Sequence, residues 1–202
     1  MDFLPSRLYN VAMNNLFIEG PIQTGKSTLI RNILHEFFGP SLEGVAGFTS
    51  QRLTDSGGQL LGFRLAPADA ALAAVCDPAA ADNVFKQFTP NGSRVDMNVF
   101  ETAGAAYLDE AFVQAKAGRA RLVLLDEIGG HEMKNDTFRC RLYELLDSEI
   151  PCVGVIKSPA NTRHMDESLI SLNEELHRHV SVVSDRDAFE SLLRSTLRSL
   201  IS

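Results

Sequence analysis

The sequence predicts an α/β protein: a three-layer α/β/α domain with a mainly parallel five-stranded sheet and an inserted antiparallel hairpin. Three observations lead there. Five short apolar runs recur along the chain, at residues 16–19, 44–48, 121–126, 152–156 and 180–183, and continuous Val, Leu and Ile are what strands buried on both faces require. Most of these runs lead into stretches of helical period, the alternation that builds a parallel sheet covered by helices. The third observation is the length of 202 residues, enough for one sizeable core and short for two. Residues 1–15 read as an N-terminal tail and 16–202 as a single domain.

The elements follow in order. Residues 16–19 form a strand, and Lys26 to Phe38 a helix with Leu29, Ile30, Ile33, Leu34 and Phe37 on one face, ended by Gly39-Pro40. Residues 44–48 read as a buried strand and 50–65 as a hairpin turning at Asp55-Ser56-Gly57-Gly58. Residues 66–92, rich in Ala, Asp and Pro, lack usable periodicity and read as loop, with one helix near 68–75. A helix over 100–116 precedes the strand RLVLLD at 121–126. A helix over 135–148 then carries Phe138, Leu142, Leu145 and Leu146, and Pro151 closes the unit. A strand at 152–156, a helix at 166–177 and a strand at 180–183 follow. Ser184 is the expected cap of a terminal helix striped with Phe189, Leu192, Leu193, Thr196, Leu197 and Leu200.

Composition narrows the function classes. Apolar residues are 45% and charged residues 22%, ordinary for a globular chain. With 19 Lys plus Arg against 26 Asp plus Glu the net charge is -7, the wrong sign for clamping duplex nucleic acid. Cys76, Cys140 and Cys152 stand far apart without CxxC spacing, which fits a reducing compartment. The start lacks a signal-length apolar run and no stretch reaches bilayer length, so the expectation is a cytoplasmic protein without membrane contact. Histidines 35, 131, 164, 177 and 179 offer no third ligand at metal spacing, and no zinc is expected.

Two motifs carry chemistry. Gly20-Pro21-Ile22-Gln23-Thr24-Gly25-Lys26-Ser27, followed by Thr28, matches GxxxxGK[ST] between a strand and a helix. Such a loop points successive N–H groups inward, and the helix beginning near Lys26 adds its positive dipole end, which makes a phosphate cradle. Lys26 is expected on the β- and γ-phosphates and Ser27 on Mg²⁺. The second motif is LVLLDEIG, residues 122–129, an apolar strand ending in two carboxylates. Asp126 is assigned to the Mg²⁺ and Glu127 to the attacking water. Together they predict hydrolysis of the β–γ bond of ATP or GTP. A nucleotide or small-metabolite kinase, with residues 66–94 as a lid, and a nucleotide-controlled module whose output is a protein partner share the same loop and stay open.

A cation at the γ-phosphate would help hydrolysis, and Lys157, Arg52, Arg163 and Arg178 are the candidates. Lys157 leads because it ends a strand; Arg52 would serve if the hairpin folded across the nucleotide. Glu132, five residues past Glu127, either positions water or metal or caps the next helix. Asn161-Thr162-Arg163-His164 lacks the Asp of a guanine-reading NKxD segment. Phe48, Phe63 and Phe138 read as core rather than base-stacking platforms.

With these motifs located, the chain resembles the THEP-type nucleoside-triphosphatase family of small P-loop enzymes along most of its length. The resemblance rests on the loop at 20–27, Gly47-Phe48-Thr49 and Gly62-Phe63 across a turn, Val95-Asp96 with Phe100-Glu101 and Leu108, and Asp126-Glu127-Ile128-Gly129 with Glu132. It implies Mg²⁺-dependent hydrolysis of several nucleoside triphosphates with loose base choice. It also implies a sheet in which the strand ending at Ile156 lies between the P-loop strand and the acidic strand. The chain departs from the family pattern at Gln23, where the loop commonly has Gly, and at Gly130 and His131, which replace a Lys-Met pair.

Overall fold

The computed structural model describes residues 14–70, 81–163 and 165–202. Its strands are β1 (Asn15–Ile18), β2 (Val45–Thr54), β3 (Leu60–Pro67), β4 (Val84–Thr89), β5 (Gly92–Val95), β6 (Leu122–Ile128), β7 (Cys152–Ile156) and β8 (Ser181–Val183). They form one sheet in the order β5-β4-β3-β2-β6-β7-β1-β8. The five strands β2, β6, β7, β1 and β8 are mutually parallel, as the apolar runs require. β7 lies between β1 and β6, so the loop after β1 and the acids at the end of β6 flank one crevice at the carboxyl edge, where such sheets bind ligands.

Helices α1 (Lys26–Phe38), α2 (Ala105–Lys116), α3 (Asp136–Leu146), α4 (Pro159–Thr162), α5 (Glu167–Leu176) and α6 (Arg186–Ile201) surround the sheet. Alternation along the strands divides the apolar side chains between two cores. Leu122, Leu124, Val153 and Val155 meet Ile30, Ile33 and Leu34 of α1 and Phe189, Leu193 and Leu197 of α6. On the other face Val123, Leu125, Cys152 and Ile156 meet Leu108 of α2, Phe138 and Leu142 of α3, and Leu169 and Leu176 of α5. Burying a leucine or phenylalanine of this kind contributes about 1.5–3 kcal/mol, and the two cores hold the layers together.

The antiparallel part differs from the expected single hairpin. Its first arm is continuous with the strand at 44–48, giving the ten-residue β2. Thr49 and Gln51, polar residues where the two expected elements join, are buried because each has a partner: Thr49 meets Asp126 and Gln51 accepts from Arg64. The loop expected over 66–92 is also corrected, since a second hairpin, β4–β5, extends the sheet from β3. Its strands are short, polar and largely exposed, so no apolar alternation marks them, although Pro90-Asn91-Gly92 is a turn signal. The helix expected near 68–75 falls largely on residues outside the described ones.

Helix ends show a further correction. Asn135, Asp166 and Asp185 cap α3, α5 and α6 through side-chain oxygens that accept a backbone N–H. Asp185 therefore caps the terminal helix, and Ser184 donates instead to Glu19 at 2.8 Å. By contrast α1 begins at Gly25 without any side-chain cap. Its first N–H groups are left for an external acceptor.

Candidate functional site

The turn between β1 and α1 is shaped by three residues with left-handed or extended positive torsions, Gly20 (φ 142), Gln23 (φ 64) and Gly25 (φ 77). Its residues 21–25 are exposed, so the concavity is open to a ligand. Lys26 lies over its own loop, donating to the carbonyls of Gly20 at 3.1 Å and Pro21 at 2.5 Å and to Thr24 Oγ1 at 3.4 Å. Burial lowers the Lys26 pKa, although Glu127 and Asp126 oppose that shift. An ammonium so placed, above an uncapped helix start, is suited to an anion.

Ser27, on the first turn of α1, donates to Asp126 Oδ1 at 2.7 Å, and Thr49 on β2 donates to Asp126 Oδ2 at 2.9 Å. Ser27 and Asp126, the two residues expected at the metal, are thus in contact. Burial raises the Asp126 pKa, and the hydroxyl bonds from Ser27 and Thr49 only partly offset this. A buried carboxylate beside two hydroxyls is a hard oxygen donor set, which fits a divalent ion such as Mg²⁺. Among the described residues no three His, Cys, Asp or Glu side chains converge to hold a metal by themselves.

Glu127 follows at once, yet it leaves the strand. β6 pairs Asp126 with Val155 and Ile128 with Ile156, so Glu127 is an extra residue in the ladder, and its φ is 71. Such bulges re-aim side chains beside active sites. Here the bulge shifts the parity of the strand: Ile128 takes the buried place in the core of Val123 and Leu125, and Glu127 is freed into the crevice. Lys157, one residue beyond β7, donates to Glu127 Oε1 at 2.6 Å. Burial would raise Glu127, but the attraction and hydrogen bond of Lys157, helped by Lys26, hold its carboxyl below the ordinary glutamate range. Burial likewise opposes the charge on Lys157, and Glu127 and Glu132 overcome it, so that ammonium is held above its usual value.

The segment after Glu127 needs small residues. A Cβ on Gly129, whose φ is 93, would stand 2.4 Å from Asn173 Nδ2, and one on Gly130 would stand 2.7 Å from Lys157 Cε. Asn173 on α5 donates to the carbonyls of Gly129 and Lys157, both at 3.1 Å, tying the turn after β6 to the end of β7. Glu132 is buried and accepts the Gly130 N–H at 2.6 Å. It closes its own turn rather than capping α3, whose cap is Asn135. Burial raises the Glu132 pKa, while Lys157 and the Gly130 bond oppose that shift.

The remaining sequence candidates make no hydrogen bond or ion pair to this group among the described residues. Arg52 is exposed on β2 in register with Phe63. Arg163 donates to Ala160 O at 3.0 Å and Arg178 is exposed. His164 lies outside the described residues. Four contributors escaped the sequence reading: Thr49, Asn161, Asn173 and Arg186. Asn161 donates to Gly20 O at 3.0 Å and Arg186 to Thr24 O at 3.1 Å, bracing the loop from α4 and α6. Their one available signal was position just after β7 and β8, at the carboxyl edge of the sheet. Asn173 had none, because it reaches the site from the middle of a helix.

A family model described as NTPase matches residues 15–191. Among solved structures, THEP1 from the hyperthermophile Aquifex aeolicus is similar with a TM-score of 0.61 at 19% identity, covering 91% of this chain and 98% of that one. The solution structure of a human cancer-related nucleoside triphosphatase is similar with a TM-score of 0.57 at 20% identity, covering 94% and 97%. At these identities the likeness concerns the fold. Comparison with curated protein sequences returned no match. Among the described residues no helix is long and apolar enough to cross a membrane.

Proposed function

This chain belongs to the NTPase family that its residues 15–191 match, and from that premise we propose that it hydrolyses the β–γ bond of ATP, GTP and related nucleoside triphosphates with Mg²⁺. The observation that carries the reading is the division of labour between neighbouring acids: Asp126 bonded to Ser27 at 2.7 Å, and Glu127 lifted out of the ladder beside Lys157. Gly20, Pro21, Ile22, Gln23, Thr24 and Gly25 wrap the phosphates with their backbone, and Lys26 neutralises the β- and γ-oxygens. Ser27 and Asp126 hold the metal, with Thr28 behind them on the helix. When bound, Mg²⁺ would spread the charge of the triphosphate.

Glu127 orients the attacking water and accepts its proton, and the Lys157 ammonium beside it keeps the carboxyl in the ionised form that can do so. Lys157 sits at the γ-phosphate end, where it holds Glu127 and offsets developing charge. The free thiols Cys140 and Cys152 fit a reducing, cytoplasmic setting.

A nucleotide panel tests the reading: purified protein with ATP, GTP, CTP or UTP and Mg²⁺ should release inorganic phosphate and the diphosphate without an acceptor. Glu127→Gln should lower that rate about 10²–10⁴-fold and leave nucleotide binding in place. Wild-type speed in the variant would remove Glu127 from the mechanism. Consumption that requires an acceptor would favour a kinase, and partner capture that follows nucleotide state without turnover would favour a switch.

A further inference from the structure

Glu127 also lines a cleft to which residues 20–27 of the phosphate loop contribute nothing. Glu127 and Lys157 line it together with Phe63, Phe85 and Lys86 of the antiparallel extension of the sheet. Its floor is apolar, with Phe48, Phe100 and Phe138 buried.

The extension is built to present this wall. Phe63 of β3 pairs with Lys86 of β4, whereas the next β3 residue, Arg64, pairs with Val84, so Phe85 is an extra residue and both Phe85 and Lys86 reach the cleft. Phe63 and Phe85 are near parallel, 23° apart with centroids at 6.2 Å, and Phe85 rests on Phe100 at 5.1 Å. Phe63 and Phe85 are only half-buried, which leaves aromatic surface facing a polar crevice. Lys86 stands at the same wall over the ring of Phe88 at 5.3 Å, and its charge is among those that depress Glu127 and His131.

Aromatic surface beside a cation and an exposed carboxylate suits a particular chemistry. A planar unsaturated ring stacks on phenylalanine whatever its substituents. An anionic group answers Lys86, since Lys157 is already engaged with Glu127. We propose that this cleft is a second ligand site, distinct from the phosphate loop, that takes a planar aromatic molecule bearing an anionic group and seats it against Glu127. The proposal rests on the nucleoside triphosphatase reading only for its position next to the attacking water.

The test uses the full chain with its loop filled by Mg²⁺ and a non-hydrolysable ATP analogue, and three probes: AMP, adenosine and ribose 5-phosphate. AMP carries both ring and anion, adenosine the ring alone, and ribose 5-phosphate the anion alone. Calorimetry and protein NMR should show saturable AMP binding with perturbed resonances of Phe63 and Phe85, and about tenfold weaker binding of the other two probes. Phe63→Ala should weaken AMP about tenfold. Lys86→Glu, a change at a half-buried strand position, should weaken AMP but not adenosine, and it keeps the test open if the first variant fails to fold. Equal binding of all three probes, perturbations outside the cleft, or unchanged AMP affinity in Lys86→Glu would overturn the proposal. AMP binding that vanishes once the analogue fills the loop would assign the cleft to the base of the triphosphate itself and overturn it as well. Because the readout is binding, a protein that binds AMP here yet releases no phosphate from ATP would sink the hydrolase reading and leave this site standing.

Discussion

Lys157 and Glu127 meet at 2.6 Å across the ends of adjacent parallel strands, one just beyond β7 and the other in the bulge of β6. Lys157→Met should therefore change more than charge. Without its ammonium the burial of Glu127 is unopposed by its main cation, and the carboxyl pKa rises. In the wild type Glu127 lies below the ordinary glutamate range, so hydrolysis persists as pH falls and is lost only near the depressed value. In the variant the acid limb of the kcat/KM profile should move to higher pH. An acid limb at the same pH in both proteins would show that Lys157 does not tune the base. The pair's contribution to stability follows the same signs: it is present above the ordinary glutamate pKa, lost as pH falls through the lowered one, and lost at the alkaline end as pH rises through the raised Lys157 value.

Asp126→Asn should separate function from stability. The buried carboxylate has a raised pKa in the folded chain, so the metal-free protein becomes less stable as pH climbs from the ordinary aspartate value through the raised one. The amide removes that buried charge while its oxygen can still accept from Ser27 or Thr49. Metal-free thermal unfolding at neutral pH should give a Tm equal to or above wild type, together with loss of Mg²⁺-supported hydrolysis. A clear drop in Tm would mean that the ionised form is the one the fold needs.

Gln23→Gly concerns the loop. Gln23 holds φ at 64, a region that disfavours a Cβ by about 1–2 kcal/mol, partly offset by the extra freedom glycine brings to the unfolded chain. The variant should be more stable by up to about 1 kcal/mol in urea unfolding, with triphosphate binding retained. A destabilised variant would show that the glutamine side chain makes compensating contacts.

Asn173→Ala removes the donor that joins Gly129 to Lys157. Leaving those two carbonyls without this partner should cost about 1–3 kcal/mol and lower kcat through displacement of Glu127 and Lys157. Because Asn173 acts through other groups, KM for ATP should change little. A rise in KM with kcat intact would place its effect on the phosphate loop instead.

The parallel part of the sheet was legible because its strands are buried on both faces, and burial leaves continuous Val, Leu and Ile such as Val123-Leu124-Leu125. The phosphate loop was legible because glycine spacing, a lysine and a hydroxyl stand between a strand and a helix. β4 and β5 were not, since edge strands exposed to water need no apolar pattern. The continuity of β2 through Thr49 and Gln51 was not legible either, because these polar residues are buried only by virtue of partners 77 and 13 positions away. Asp126 and Glu127 could be named from sequence, but the torsion that separates them could not, because nothing in Asp-Glu-Ile announces a left-handed glutamate.

That torsion makes β6 one residue longer than the rungs it occupies. Deleting Glu127 would then leave Ile128 properly seated and the strand intact, so the chain would fold as a nucleotide-binding protein stripped of its base. Transplanting the acidic pair into a regular strand of a similar sheet would do the reverse, turning the glutamate into the core that Ile128 fills here and the isoleucine to the opposite face. An engineer borrowing this chemistry has to import the misfit together with the residues.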